Sequence, residues 1–417
     1  MTGIAETRRA PEEYDNVPDP AQRSDISQGV CMSPANVRQV GWFVFLFIVI
    51  LMLVNFVVSA SSKVEVNEGA VKLFAPLPAV MEASANPVTD AKVALGRMLY
   101  YDPRLSASQQ ISCNTCHALD VYGAEQKPVS TGHKNQKGKR NAPTVYNAAG
   151  HFAQFWDGRA PTVEEQAKGP ITNPIEMAMP SNVAALHVVK SMPEYVALFQ
   201  SAFPNDKDPV TYDNIGRAIG AFERKLVTPS RWDGFLEGNQ SALTDEEKAG
   251  FNTFAATGCQ YCHYGTYIGG NSFQKLGVVK PWANQSDEGL YQLTKDENDK
   301  MVFKVPSLRN IEKTVPYFHD GSVATLEQAI SNMALHQRGV NLTDAQVKSI
   351  VAWMDALTGP LPSSYYRKAV AAEKYGGDSA AERRLARVTG PTRSKRARQR
   401  WGVPLGSTDN ESVLEDI

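Results

Sequence analysis

With 417 residues, the chain has room for two or three domains. Apolar residues make up 42 % and charged residues 21 %, the balance of a chain that buries a globular core, not of one that stays unfolded. A formal net charge of -1 gives no global field for nucleic acid, and the body of the chain carries no basic stripe with a recognition motif.

Residues 1–40 are polar and proline-containing, have no helical period and read as an arm without fixed structure. Residues 41–60 follow as a transmembrane anchor or a signal segment. The run from Trp42 to Val58 is apolar except for Asn55, near the short end of the roughly 17–25 residues that span a bilayer. Arg8, Arg9, Arg23 and Arg38 precede it, whereas only Lys63 and Lys72 follow closely, which places the N-terminus inside and the rest outside. As a cleaved signal, the segment would start at Met32 and end near Val58-Ser59-Ala60. In both readings the body is exported to a periplasm-like compartment. Residues 61–85 read as a linker, residues 86–359 as the body and residues 360–417 as a basic extension. Arg393, Lys395, Arg396, Arg398 and Arg400 make that tail a solvated segment, with anionic lipid headgroups as the alternative partner.

Within the body the patterns are helical. Ile215, Ile219, Phe222 and Leu226 keep helical spacing. Thr244 with Glu247 forms a capping box that leads through Phe254, and Thr343 with Gln346 forms another before Val347, Ile350, Val351 and Met354. Gly359-Pro360 then stops the helix. No convincing run of alternating strands occurs, so the fold class is mainly α.

Four of the five cysteines lie in two identical patterns, Cys113-Asn114-Thr115-Cys116-His117 and Cys259-Gln260-Tyr261-Cys262-His263. Such C-x-x-C-H pairs in a long exported chain read as covalent c-type haem attachment. The thiols form thioethers to the edge of one rigid macrocycle, and the adjacent histidine reaches its iron. A zinc site would need further ligands at matching spacing. His117 and His263 are therefore the proximal ligands. Each half also carries an Arg-Asn pair (Arg140-Asn141, Arg309-Asn310), an aromatic-x-Asp-Gly element (Phe155 to Gly158, Phe318 to Gly321) and a Glu-Gln-Ala (Glu165 to Ala167, Glu327 to Ala329). This ordered set implies two cytochrome c-like haem domains from an internal duplication, 86–232 and 233–359.

Function depends on the opposite face of each iron, where methionine suits electron transfer and a removable ligand permits peroxide chemistry. Of the remaining histidines, His187 falls on an apolar helix and reads as packed, while His151 and His336 fit either surface or core. His133 lies in the loop Thr131-Gly132-His133-Lys134, a type of segment that can place a ligand and withdraw it, or carry an ordinary exposed histidine. Trp156 and Met333 equally read as packing residues, and Met177 or Met179 as ligands of the first iron.

Taken in order, Cys113 to His117, Gly132-His133-Lys134, Arg140 to Thr144, Phe155 to Arg159, Glu165 to Ala167, Asn173 to Met177, Ala221 to Arg224, Cys259 to His263, Pro316 to Gly321 and Met333-Ala334 resemble the bacterial diheme cytochrome c peroxidases. The resemblance covers roughly residues 86–359. It implies reduction of hydrogen peroxide to water with electrons from a small soluble donor, a cytochrome c or a copper protein. His133 would be the removable distal ligand of the first, peroxidatic haem. Glu176 would be the acid/base in peroxide cleavage, Gln166 would line the same pocket, and Trp156 would lie on the electron path between haems. Met333 would be the distal ligand of the second, electron-entry haem. Asn141, with the backbone carbonyls of Thr314 and Pro316, would hold a calcium ion, and a homodimer is left open. The related enzymes that mature a quinone cofactor in a partner protein carry tyrosine where Met333 stands.

Overall fold

The computed structural model describes residues 63–366, together with 42 and 45–49. Positions 42 and 45–49 are helical and, save Val49, exposed. Among the described residues no helix is long and apolar enough to cross a membrane. Most of the 41–60 segment, the 1–40 arm and the tail beyond 366 lie outside the described residues.

Residues 63–366 form one compact, mainly helical unit. Its longer helices are α1 (Asp90–Tyr101), α2 (Val163–Thr172), α3 (Asn182–Lys190), α4 (Pro193–Ala202), α5 (Tyr212–Glu223), α6 (Arg231–Leu236), α7 (Asp245–Thr257), α8 (Leu326–Arg338) and α9 (Asp344–Asp355). One short antiparallel pair, β1 (Phe273–Lys275) with β2 (Val302–Lys304), aligns Gln274 with Phe303. The capping boxes at Thr244 and Thr343 are formed and start α7 and α9, because each hydroxyl and its partner side chain satisfy otherwise orphaned N–H groups. On α5, Ile215, Ile219 and Phe222 are buried as their spacing requires, whereas Leu226 is buried beyond the end of the helix. α9 ends at Asp355, before Gly359-Pro360, and the Gly359 N–H instead donates to Asn310 Oδ1 at 3.1 Å.

Two buried clusters organise the unit. One gathers Leu95, Leu99, Ile171, Phe199, Ile215 and Phe222 from the first half. The other gathers Trp232, Phe251, Phe254, Ile350 and Trp353, with the rings of Trp232 and Trp353 edge to face at 5.4 Å. Each cluster includes a close helix crossing. α1 packs on α5 at Gly96, where a Cβ would overlap the Ala218 carbonyl. α7 packs on α9 at Gly250, where a Cβ would overlap the Ser349 carbonyl.

The stretch 61–85, expected as a linker, is part of this body from Lys63 onward. Phe74 packs against Trp232 and Phe251, Met81 is buried, and the Leu77 N–H donates to Asp233 Oδ1 at 2.8 Å. Alternation of apolar and polar residues conceals this, because the segment contributes single anchors and no continuous face.

The halves share local form in a register that differs from the sequence pairing. Asn147 and Asn310 both take left-handed φ values (61° and 58°), and each opens a single 3-10 turn. Their side-chain amides both donate to Thr228 Oγ1, at 2.9 and 2.8 Å. At the same offset, Phe155 and Phe318 have φ of 68° and 69°, and the isolated bridge Gln154–Ala160 matches Tyr317–Val323. The counterpart of Asn310 is thus Asn147 and not Asn141, because asparagine tolerates the left-handed region that the turn demands. Arg140 instead binds Asp157 and Asp287.

Candidate haem site

Ser112 and Thr115 cap each other at the four-residue helix Cys113–Cys116, and His117 follows at its C-terminus. The Tyr100 hydroxyl donates to the His117 carbonyl at 2.6 Å, tying the motif to α1. The His117 Nδ1 lies 2.9 Å from the Pro143 carbonyl, which makes Nδ1 the protonated nitrogen and leaves the Nε2 lone pair for a metal. Burial lowers the pKa of this imidazole and keeps it neutral.

The second motif begins where Gly258, at φ 84°, terminates α7 and turns the chain into Cys259–Tyr261. Burial depresses His263 to about 4, against the opposing pull of the Ile268 and Pro306 carbonyls that face it. Pro306 stands at the same offset from Pro143 that relates the two halves. The four cysteines form no disulfide, and burial pushes Cys113 and Cys259 up to about 12 and Cys116 up to about 11.

One cavity of about 750 Å³ joins both motifs. Its walls include Cys113, Cys116, His117, Cys259, Cys262 and His263, and also Trp156, Gln166, Glu176, Met333, Asn141, Thr314 and Pro316. The residues fit two covalently held haems: paired free thiols beside a neutral imidazole occur twice, on one largely apolar cavity. The Nδ1 of His263, a residue of this wall, is buried without a hydrogen-bond partner.

Trp156 spans the two halves of the wall. Its indole N–H donates to the Asn141 carbonyl at 3.0 Å, and its own carbonyl accepts from the Lys304 N–H at 2.8 Å. Glu176 sits in the turn after α2, where Asn173 Nδ2 donates to its Oε1 at 2.7 Å. Burial raises the Glu176 pKa, with Arg159 and Asn173 acting in the opposite direction.

Gly132, and not His133 itself, is among the cavity-lining residues. The His133 loop is closely tied to the Glu176 turn: the His133 N–H donates to the Glu176 carbonyl at 2.9 Å and Gln136 Nε2 to the Pro174 carbonyl at 3.2 Å. Met333 projects from α8 and is half-buried, while Met177 is buried in the first core and touches the cavity.

His187, read as packed, is exposed, because α3 buries Ala185 and Val189 on its other side. His336 is half-buried, with Nδ1 2.7 Å from the Lys280 carbonyl. Three further cavity residues had no role assigned from the sequence: His319, His151, which fitted either surface or core, and Lys304. His319 is buried between Phe303, stacked at 4.3 Å, and Trp156, at 6.4 Å. The only sequence clue to it was its place inside Phe318-His319-Asp320-Gly321.

A family model described as di-haem cytochrome c peroxidase matches residues 90–241. The chain is 49 % identical over 270 residues to cytochrome c551 peroxidase of Nitrosomonas europaea, covering 64 % of this chain and 80 % of that one. The chain belongs to the di-haem cytochrome c peroxidase family. Cytochrome c551 peroxidase of Pseudomonas aeruginosa is a further member, 41 % identical over 321 residues, with 76 % of this chain and 92 % of the relative covered. Among solved structures, a MauG-like protein associated with microbial copper homeostasis superposes with a TM-score of 0.62 at 28 % identity, covering 70 % of this chain and 96 % of that one. The matched family region contains the first motif, His133, Trp156, Gln166 and Glu176. The alignment with the Pseudomonas relative is longer than that region.

Proposed function

We propose that this member of the family reduces hydrogen peroxide to water in the periplasm, drawing two electrons from a small donor such as a cytochrome c or a copper protein. Peroxide, two protons and two electrons give two waters. The observation that carries the reading is one cavity holding both C-x-x-C-H motifs and a half-buried carboxyl group, Glu176.

When bound, the haems supply one-electron redox chemistry and an iron position for peroxide. The chain's residues do the rest. His117 and His263 present neutral imidazoles as proximal ligands. Met333, on the cavity wall, would supply a thioether to the second iron, the ligand type that suits electron entry. Glu176 takes a proton from one peroxide oxygen and returns it to the other, with Gln166 on the same wall as a hydrogen-bonding neighbour. Trp156, bonded to both Asn141 and Lys304, bridges the halves as the electron path. His133, next to the cavity-lining Gly132, would serve as the removable ligand of the first iron once its loop turns inward, and its attachment to the Glu176 turn would couple that movement to the acid/base residue.

The domain division at 232/233 and the internal duplication belong to the same reading, supported by the repeated turns around Thr228. Asn141, Thr314 and Pro316 would hold calcium through oxygen atoms, the ligands a hard cation prefers. The Asn141 Nδ2 donates to the Lys127 carbonyl at 2.9 Å, which leaves Oδ1 for the cation. Residues 41–60 would anchor the chain to the inner membrane or be cleaved as a signal, and a homodimer is compatible with this reading.

Mass measurement of the denatured protein should show two covalent haem additions. An assay with reduced cytochrome c should then give peroxide turnover that rises when the enzyme is first reduced by one electron. Fewer than two haems, or no peroxide-dependent oxidation of any donor tried, overturns the proposal.

A further inference from the structure

Lys304 ends β2 and is 7 % exposed, although it carries an ammonium group. Its polar side-chain neighbour is His151 Nδ1, 3.4 Å from Nζ. Among the described residues no carboxylate lies within ion-pair distance of it. The acidic group whose charge it feels, Asp157, is already engaged by Arg140 and Arg159. Burying an unpaired charge is costly even after relaxation, so an anionic partner for the ammonium is strongly favoured.

Its neighbour carries a second vacancy in hydrogen bonding. The ammonium can only donate, so the Nδ1 of His151 is the accepting nitrogen and Nε2 carries the proton. That Nε2 is buried without a partner. Burial and the adjacent Lys304 both hold His151 neutral. Lys304 and His151 both line the cavity that joins the haem motifs. The Nε2–H points away from the ammonium, so they offer it a cationic donor and a neutral donor at separate positions, a pair suited to the two carboxylates that a haem carries.

We propose that Lys304 and His151 form an anchor for the propionate carboxylates of one of the two haems. The inference rests on the haem reading, since a haem is the group in that cavity that brings carboxylates with it. The register of the two halves adds an independent observation. At the offset that relates Asn147 to Asn310, Lys304 corresponds to Asn141 and His151 to Thr314, two residues proposed for calcium. The Trp156 main chain and indole join the two places, one bond to Asn141 and one to Lys304. A built-in ammonium thus stands on one side of the junction where the other side would use a metal cation.

The test uses the holoprotein and the variants Lys304→Met, Lys304→Arg and His151→Phe. Resonance Raman spectra report the propionate bending modes, which shift with hydrogen bonding to the carboxylate, and a spectroelectrochemical titration reports both haem potentials. Lys304→Met should move one propionate band and lower the potential of that haem, while Lys304→Arg should return the band toward its parent position. His151→Phe should move a propionate band of the same haem with the lysine intact, and this keeps the test open if the methionine variant fails to fold. Two attached haems with unchanged propionate bands in Lys304→Met, or in His151→Phe where only that variant folds, overturn this inference alone. Absence of covalent haem in the parent protein overturns the underlying haem reading instead.

Discussion

Replacing Glu176 with glutamine tests the chemistry directly. The carboxyl is half-buried, and Asn173 Nδ2 donates to its Oε1 at 2.7 Å. Glutamine keeps the volume and an oxygen able to accept that bond, so the turn that also holds the His133 loop should persist. What disappears is a group that can take up and release a proton. Positioned general acid–base catalysis contributes about 10²–10⁴-fold, or roughly 3–5 kcal/mol of transition-state stabilisation. Because both neighbouring contacts survive, the loss should fall in kcat under saturating donor, with the KM for peroxide little changed. The pH profile supplies a second readout. Burial raises the Glu176 pKa, so the carboxylate forms at higher pH than an ordinary glutamate. A base of this kind loses activity as pH falls through its raised pKa, and that acidic limb should vanish in Glu176→Gln. A variant retaining both haems and turning over within about threefold of the parent, less than ~1 kcal/mol, removes Glu176 from the mechanism.

Other residues give equally direct outcomes. His133→Gly should leave the first haem open in the fully oxidised protein and active without pre-reduction; spectra identical to the parent would assign the gate elsewhere. Met333→His should lower the potential of the second haem and block reductive activation, since it replaces the thioether that favours the reduced iron. An unchanged high-potential couple in a redox titration would exclude Met333 as ligand. Thr228→Val strands the buried amides of Asn147 and Asn310, which both donate to its hydroxyl. At about 1–3 kcal/mol for each unsatisfied group, denaturant unfolding should show a loss of roughly 2–6 kcal/mol. A loss near zero would mean that the paired turns are not held together through this residue.

Local patterns determined much of this protein without help from the fold. The cysteines and histidine of each haem motif must serve one macrocycle, so their spacing is short and readable at Cys113 to His117 and Cys259 to His263. Capping boxes are equally local, and those at Thr244 and Thr343 start helices as their residues require. Residue types at long range carried less. Gly96 and Gly250 look like ordinary helix glycines until α5 and α9 lie across them. The stretch 61–85 looks like a connector until Leu77 bonds Asp233 and Phe74 meets Trp232. Nothing in the sequence singles out Lys304, and His151 fits either surface or core, although their side chains meet across the fold. Hydrophobic period and capping depend on neighbours a few residues apart, which the sequence displays. A buried charge, a close helix crossing and a cavity shared by two haem motifs depend on distant segments, and only folding brings those into contact.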